Sequence, residues 1–293
     1  MRIEGCLSAI PTPFNKNGID ENALAAHASW MVDNGCSGIV VCGTTGESAT
    51  MSNDEKIRAM NVVSDAVGGR TIIVGGAGNN STSESLDFVA RVNRETKVDA
   101  IMSVVPYYTK PPQAGIKLHF TEIAKLSKRP MLIYNVPSRT VASMTAETIL
   151  SLLDHPNIVG CKEASGDIHL AGKLVSELDG RGTLLSGDDG TCAAFVAIGG
   201  HGAISVASNV APKLMSDMLK AAASGDLATM RELNRVAVRL QEILFQMPSP
   251  IPVKVVVEHL GFGSADVRMP LSPMEPEAAA QLKAIADELG LKR

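Results

Sequence analysis

The residue of this chain best suited to covalent chemistry is a lysine that interrupts an apolar, strand-like segment. Lys162 follows Ile158-Val-Gly-Cys in a run that ends at Ala164. Removing an unpaired ammonium from water costs several kcal/mol, so burial favours the neutral amine. A neutral amine can attack a carbonyl carbon and form an imine. The alternative is a lysine that extends to solvent or pairs with Glu163, and its position alone leaves both open.

Hydroxyl and guanidinium groups follow two other strand-like segments. The chain has three tyrosines: Tyr107 and Tyr108 come directly after a strand-like run, and Tyr134 ends the next one. Phenol hydroxyls can relay protons, and the planar guanidinium of Arg139, in the loop after Tyr134, suits a carboxylate. Packing at a turn is the alternative for each, but three tyrosines at strand ends favour a shared site.

Two glycine-containing turns also follow strand-like runs. In Gly43-Thr-Thr-Gly-Glu-Ser, the glycines allow a tight turn whose backbone N–H groups could face a carboxylate. An ordinary turn is the alternative. In Ser186-Gly-Asp-Asp-Gly, we expect Asp188 or Asp189 to cap a helix. The run Gly75-Gly-Ala-Gly-Asn-Asn does not match the dinucleotide-binding pattern GxGxxG.

Composition narrows the class of function. The 293 residues carry a net charge of −4, which gives no basic field for nucleic acid or anionic lipid. The five cysteines form no CxxC pair, and the six histidines show no HxH or HExxH spacing, so we expect reduced thiols, no metal centre and a cytoplasmic protein. We also expect no secretory signal at the start and no membrane span.

The elements that would position these residues alternate along the chain. Apolar runs typical of buried parallel strands are separated by amphipathic helical segments. The predicted strands are Cys6–Thr12, Gly38–Gly43, Thr71–Gly76, Ala100–Pro106, Met131–Val136, Ile158–Glu163, Thr183–Gly187 and Gly202–Ala207. Eight such units predict a (β/α)8 TIM barrel, whose active site lies at the C-terminal ends of the strands.

Helical patterns fill the intervals and continue beyond the last strand. The predicted helices include Glu21–Asn34, Asn53–Val67, Thr82–Glu95, Gln113–Leu126, Lys213–Ala223, Leu227–Phe245, Val253–Leu260 and Pro276–Leu289. We expect N-caps at Asn53 and at Ser81 or Thr82. Because the eighth barrel helix needs only Lys213–Ala223, we predict a barrel over residues 1–223 and a C-terminal helical extension over residues 224–293, packed together as one structural unit.

The motifs taken in order resemble the dihydrodipicolinate synthase / N-acetylneuraminate lyase superfamily. The resemblance runs from Gly5 to Leu289. It is carried by Gly43-Thr-Thr-Gly-Glu-Ser, Pro106-Tyr-Tyr, Tyr134-Asn-Val-Pro-Ser-Arg-Thr, Gly160-Cys-Lys-Glu-Ala, Ser186-Gly-Asp-Asp and Gly202-Ala-Ile-Ser-Val.

This resemblance implies a class I aldolase without a cofactor, in which Lys162 forms a Schiff base with pyruvate. Thr44, Tyr134 and Tyr108 would relay protons, with Tyr108 reaching into a neighbouring subunit of a homotetramer built as a dimer of dimers. Backbone N–H groups of Thr44 and Thr45 would bind the pyruvate carboxylate. The remaining substrate contacts would come from Arg139 and from the backbone oxygens of Gly187 and Ile204.

Within this superfamily the paired threonines and Arg139 favour the synthase branch, because sialic acid lyases usually have a serine before the threonine and lack the arginine. The implied reaction condenses pyruvate with aspartate semialdehyde to 4-hydroxy-tetrahydrodipicolinate, for lysine and diaminopimelate synthesis. Two alternatives stay open: a lyase or aldolase that cleaves a 2-oxo-3-deoxy sugar acid, such as N-acetylneuraminate or keto-deoxy-gluconate, and a non-catalytic oxo-acid sensor.

The resemblance also implies a regulatory pocket for lysine, formed by Ser48, Ala49, Asn80, Glu84 and Tyr107. Two positions often occupied by histidine in lysine-inhibited members are Asn53 and Lys56 here. A cation at position 56 repels a cationic ligand. The sequence therefore predicts weak or absent inhibition by lysine.

Overall fold

Eight short strands pair in parallel and close into a barrel. The computed structural model describes all 293 residues, and each barrel strand pairs with the next along the chain, the last returning to the first. The strands are β1 (Gly5–Ala9), β2 (Gly38–Val41), β3 (Ile72–Gly76), β4 (Ala100–Val104), β5 (Met131–Asn135), β6 (Ile158–Glu163), β7 (Thr183–Ser186) and β8 (Gly202–Ser205). The predicted TIM barrel is confirmed.

Several predicted strands extend beyond the observed ones at their C-terminal ends. β6 has the predicted bounds, whereas β1 ends at Ala9 rather than Thr12. Pro11 lacks the N–H that continued pairing requires, so the chain leaves the barrel there. A short two-stranded ribbon, Phe14–Asn15 with Gly18–Ile19, follows β1 and was not predicted.

Buried side chains of the strands fill the inside of the barrel. Leu7, Val40, Met102, Leu132 and Leu185 belong to one interior cluster, separate from the larger apolar layer between strands and helices. As in other barrels of this type, the interior is a packed core and not a pore. In barrels of this type the active site lies at the C-terminal ends of the strands, and we refer to this side as the open end of the barrel.

Twelve helices surround and extend the barrel. They are α1 (Glu21–Asp33), α2 (Asn53–Val67), α3 (Thr82–Glu95), α4 (Gln113–Leu126), α5 (Pro137–Thr140), α6 (Ala146–Leu153), α7 (Ile168–Glu177), α8 (Cys192–Ala197), α9 (Pro212–Ser224), α10 (Leu227–Leu244), α11 (Ile251–His259) and α12 (Pro276–Glu288). None of them is long and apolar enough to cross a membrane.

The helix starts correct one prediction and confirm another. Asn53 is not the N-cap of α2 but its first helical residue. Ser52 is the cap, because it has extended backbone dihedrals and forms a capping box with Glu55. At the start of α3, Ser81 is the N-cap, as predicted.

The last three helices bring a buried charge against the barrel mouth. α10 packs on α9, and α11 packs on α12 and on the short 3-10 helix Ala207–Asn209 that follows β8. Residues Ile251–Val257 of α11 are all buried, including Lys254. This helix therefore carries an ammonium group into the apolar contact between the C-terminal helices and the barrel.

Candidate active site

Lys162 lies near the C-terminal end of β6 and points into the barrel. Its Cα pairs in register with Tyr134 of β5 on one side and Leu185 of β7 on the other. The side chain is 7 % exposed, and its Nζ atom lies 4.3 Å from the centroid of the Tyr134 ring. The amine is thus close to the open end, reachable from solvent but mostly enclosed.

The neighbouring carboxylate is not the partner of this amine. Successive strand residues point to opposite faces, so Glu163 points away from Lys162. Its carboxylate accepts hydrogen bonds from Nδ2 of Asn135 (3.0 Å) and from Oγ of Ser165 (2.8 Å). Burial raises the pKa of Glu163, although these hydrogen bonds oppose the shift. The structure therefore does not support the alternative in which Glu163 neutralises Lys162.

Gly187 leaves room for the stem of this lysine. A Cβ atom at position 187 would lie 2.7 Å from Cε of Lys162 and 2.5 Å from Cβ of Ala164. Only glycine permits so close an approach. Ile204 is buried on β8 in the same interior cluster as Tyr134. The backbones of Gly187 and Ile204 are thus both at the C-terminal end of the barrel, beside Lys162.

The Gly43–Glu47 turn leaves backbone donors unused. Glu47 N–H donates to the Thr44 carbonyl oxygen (3.0 Å), but the N–H groups of Thr44 and Thr45 donate to no other protein group. Thr45 is buried and Thr44 is exposed. Free N–H groups in a tight turn form a concave site for an anion.

The side chains of the predicted site residues make no hydrogen bonds to one another. The hydroxyl groups of Thr44 and Tyr134 make no hydrogen bond to each other or to another protein group. Arg139 lies in the short helix α5, is exposed, and its guanidinium is likewise without a hydrogen bond within the chain. These groups are available to a ligand.

Tyr108, a predicted catalytic residue, presents a large aromatic side chain to solvent. It is 86 % exposed and has a left-handed backbone conformation, with φ of 73°. The carbonyl of Tyr107 accepts a hydrogen bond from Asn80 Nδ2 (3.2 Å), which fixes the segment before it. A large aromatic side chain presented in this way is compatible with the prediction that it completes a site outside its own chain.

The prediction that Asp188 or Asp189 caps a helix is wrong. The N-cap of α8 is Thr191, and Asp188 instead accepts hydrogen bonds from the N–H and Oγ of Thr191. Asp189 is buried and accepts from the N–H groups of Val206 (2.9 Å) and Ala207 (2.8 Å). Asp189 therefore connects the loops after β7 and β8, and burial raises its pKa.

A buried ion pair beside the Gly43–Glu47 turn was not predicted from the sequence. Nζ of Lys254 lies 2.6 Å from Oε1 of Glu47, and both side chains are buried. Burial lowers the pKa of Lys254, while the Glu47 carboxylate opposes the shift. The signal in the sequence was a lysine inside the apolar run Ile251–Val257, the same kind of signal that identified Lys162.

A separate cavity lies between α2 and α3, and of the five residues that the resemblance implied for a regulatory pocket only Glu84 lines it. Its volume is about 200 Å³, and Asn53, Lys56, Glu84 and Phe88 are among the residues that line it. Nζ of Lys56 lies 5.3 Å from the centroid of the Phe88 ring, and burial lowers the pKa of this lysine. The amine of Lys56 therefore borders this cavity beside Glu84.

Comparison with known proteins gives full-length matches. Residues 2–289 match the sequence profile described as the dihydrodipicolinate synthetase family. The 4-hydroxy-tetrahydrodipicolinate synthase of Neisseria meningitidis serogroup B is 44% identical over 283 residues, 96% of this chain and 97% of the relative. That of Methanopyrus kandleri is 41% identical over 293 residues, 99% of this chain and 97% of the relative.

Solved structures agree with these matches. The dihydrodipicolinate synthase of Aquifex aeolicus superposes with a TM-score of 0.95 at 35% identity and covers 99% of both chains. The chloride-inhibited dihydrodipicolinate synthase of Acinetobacter baumannii complexed with pyruvate also gives a TM-score of 0.95, at 34% identity and 99% coverage of both chains.

Proposed function

The chain belongs to the dihydrodipicolinate synthetase family, and from this premise we propose that it condenses pyruvate with aspartate semialdehyde to 4-hydroxy-tetrahydrodipicolinate through a Schiff base on Lys162. The observation that carries the proposal is the amine of Lys162 at the open end of the barrel, 4.3 Å from the Tyr134 ring and without a carboxylate partner. Unpaired amines in such enclosures are suited to imine formation.

The proposed reaction begins with pyruvate. The neutral amine of Lys162 attacks C2 of pyruvate to give a carbinolamine, which loses water to form the imine. Loss of a C3 proton gives an enamine, whose C3 then bonds to the aldehyde carbon. The amino group that came from the semialdehyde then attacks the imine carbon, closes the ring and expels the amine of Lys162, so the product leaves as the cyclic imine and the only water lost is the one released when the Schiff base formed. The hydroxyls of Tyr134 and Thr44, with that of Tyr108 from a neighbouring subunit, relay the protons.

The two substrates are recognised at different depths. The unused N–H groups of Thr44 and Thr45 hold the pyruvate carboxylate beside Lys162. The backbone oxygens of Gly187 and Ile204 line the opposite side of that pocket. Arg139, exposed at the rim, pairs with the carboxylate of aspartate semialdehyde, because its planar guanidinium can bind a carboxylate through two hydrogen bonds.

We further propose that the enzyme needs no cofactor, because the imine itself withdraws the electrons that activate C3. The exposure of Tyr108 supports a homo-oligomer, built as a tetramer of two dimers, in which this residue enters the neighbouring site. The five free, buried cysteines suit a reducing compartment, and we place the protein in the cytoplasm.

Trapping with borohydride tests the covalent step. Incubation with pyruvate and reduction should add one pyruvate-derived group to Lys162, identified by mass spectrometry. Lys162→Met removes the amine and should abolish the adduct. Lys283→Met removes an amine from α12 and should leave the adduct unchanged. An unmodified Lys162 in the wild-type protein would refute the proposed chemistry and favour an oxo-acid sensor.

A substrate panel tests the acceptor. The enzyme and pyruvate should consume aspartate semialdehyde, and the enzyme alone should not cleave N-acetylneuraminate or keto-deoxy-gluconate. The exposed cation at Arg139 favours the aldehyde that carries a carboxylate near its reacting carbon. Faster cleavage of either sugar acid would assign the chain to the lyase or aldolase alternative.

A further inference from the structure

The turn that supplies Thr44 and Thr45 is strained at both ends. Cys42, before the turn, has φ of 57°, and Glu47, at its end, has φ of 55°. Both lie in the left-handed region, which non-glycine residues avoid and which persists only where surrounding contacts enforce it. Something outside the turn must therefore hold it in this conformation.

The contacts that enforce the conformation come largely from the far end of the chain. The Glu47 carboxylate receives Nζ of Lys254 (2.6 Å) on Oε1 and the backbone N–H of Arg268 (2.9 Å) on Oε2. Lys254 also donates to the carbonyl of Asp266. The Arg268 guanidinium donates to the carbonyl of Thr50 (3.2 Å), just beyond the turn. Both oxygens of one carboxylate are thus held by the C-terminal segment.

The pair lies in an apolar setting in which stability alone does not account for it. Nζ of Lys254 lies 4.5 Å from the centroid of the Phe14 ring, and its neighbours in α11 are apolar. Desolvation of two charges offsets most of their attraction, so a buried ion pair often stabilises a fold no better than well-packed apolar residues. An ion pair does fix the distance and relative orientation of its two side chains. This pair does so at Glu47, the last residue of the strained turn.

We propose that Glu47 and Lys254 are positioning residues, whose ion pair holds the Gly43–Glu47 turn so that the N–H groups of Thr44 and Thr45 face the substrate carboxylate. The C-terminal helices thereby act on the first substrate without touching it. This inference rests on the proposed function, since it assumes that pyruvate binds at these N–H groups.

The effect of the pair should appear in pyruvate binding and not in the reactivity of Lys162. If the competent turn is only partly populated, apparent affinity falls by the populated fraction. For Lys254→Met, we expect the pyruvate concentration that gives half-maximal borohydride trapping at Lys162 to rise at least tenfold. The trapped amount at saturating pyruvate, per folded protein, should match the wild type. A purely structural role would lower the folded amount and leave half-saturation unchanged.

Lys283→Met is the matched control. Lys283 also belongs to the C-terminal helices and pairs with a carboxylate, Glu258 (2.8 Å), but it does not contact the turn. For Lys283→Met, we expect the pyruvate concentration that gives half-maximal trapping to stay within twofold of the wild type. Glu47→Gln is a milder second variant, because the amide can still accept from the Arg268 N–H. It should raise the pyruvate concentration for half-maximal trapping between two- and tenfold and speed exchange of the backbone amides at positions 47 and 48.

The proposal is overturned if either variant needs no more pyruvate than the wild type for half-maximal trapping. If Lys254→Met or folded Glu47→Gln traps pyruvate at the same concentration as the wild type, the pair does not position the turn. Should Lys254→Met fail to fold, half-saturation and amide exchange in Glu47→Gln decide between the two roles. Absence of trapping in the wild-type protein would instead refute the proposed function.

Discussion

Replacing Gly187 by alanine adds a single methyl group directly against the stem of Lys162. The new Cβ would lie 2.7 Å from Cε and 3.1 Å from Cγ of Lys162, and 2.5 Å from Cβ of Ala164. Nonbonded carbon atoms are most stable about 3.5–4.0 Å apart, so the lysine must move by about 1 Å. Overpacking of this kind costs about 1–3 kcal/mol of stability.

The larger effect of Gly187→Ala should be on the rate of imine formation at Lys162. A displacement of about 1 Å at a reacting group can reduce the rate on the order of 10²-fold. We therefore expect Gly187→Ala to slow single-turnover imine formation on Lys162 by about that factor. The assay is the rate of borohydride trapping at saturating pyruvate, with folding followed by circular dichroism on the same samples.

Gly172→Ala is the control for this variant. Gly172 lies within α7, and a Cβ there would meet no atom within 4 Å. Alanine should stabilise the helix by about 0.5–1 kcal/mol and leave trapping unchanged. A folded Gly187→Ala protein that traps pyruvate at the wild-type rate would refute the geometric argument, because it would show that Lys162 reacts from a position the methyl group does not disturb.

Three other outcomes are expected. Arg139→Ala should slow condensation with aspartate semialdehyde at least tenfold while pyruvate trapping stays within twofold; an equal loss in both assays would contradict the assigned role. Submillimolar L-lysine should leave activity unchanged, because Lys56 places a cation beside Glu84, one residue of the expected pocket, and half-inhibition in a lysine titration would contradict this. Burial lowers the pKa of His27 to about 4. The unfolded chain therefore protonates first as pH falls from about 6.5 to 4, and stability should drop by about 3 kcal/mol. Urea unfolding should show a smaller drop for His27→Gln, and an identical drop would refute the assignment.

The barrel, and the candidate residues at its C-terminal end, could be predicted because they depend on local patterns. Eight apolar runs specify buried parallel strands, and strand ends are the sites of barrel chemistry. A lysine within such a run is conspicuous, so its neighbours made Lys162 a candidate, but its position alone left a solvent-exposed or Glu163-paired lysine open, and the Schiff-base role was implied by the family resemblance. Tyr134 and the threonine turn followed from the same rule, since each comes at the end of a predicted strand.

What the sequence did not predict depends on contacts between distant segments. Glu47 and Lys254 are separated by 207 positions, and no local pattern joins them. The error at Asn53 arose because its neighbour Ser52 has the better-placed hydroxyl and the extended backbone. Asp189 was misassigned because its hydrogen-bond partners, Val206 and Ala207, belong to the next loop of the barrel. These roles become visible only once the strands are side by side.

The packed interior of the barrel closes the active site on the side of the N-terminal ends of the strands. Leu7, Val40 and Leu132 belong to the packed interior cluster, so we expect substrates to reach Lys162 from the C-terminal end of the barrel. In the proposed arrangement pyruvate lies deeper in the barrel than the aldehyde, and a bound aldehyde would block its path. We therefore expect pyruvate to bind first and excess aspartate semialdehyde to inhibit the enzyme.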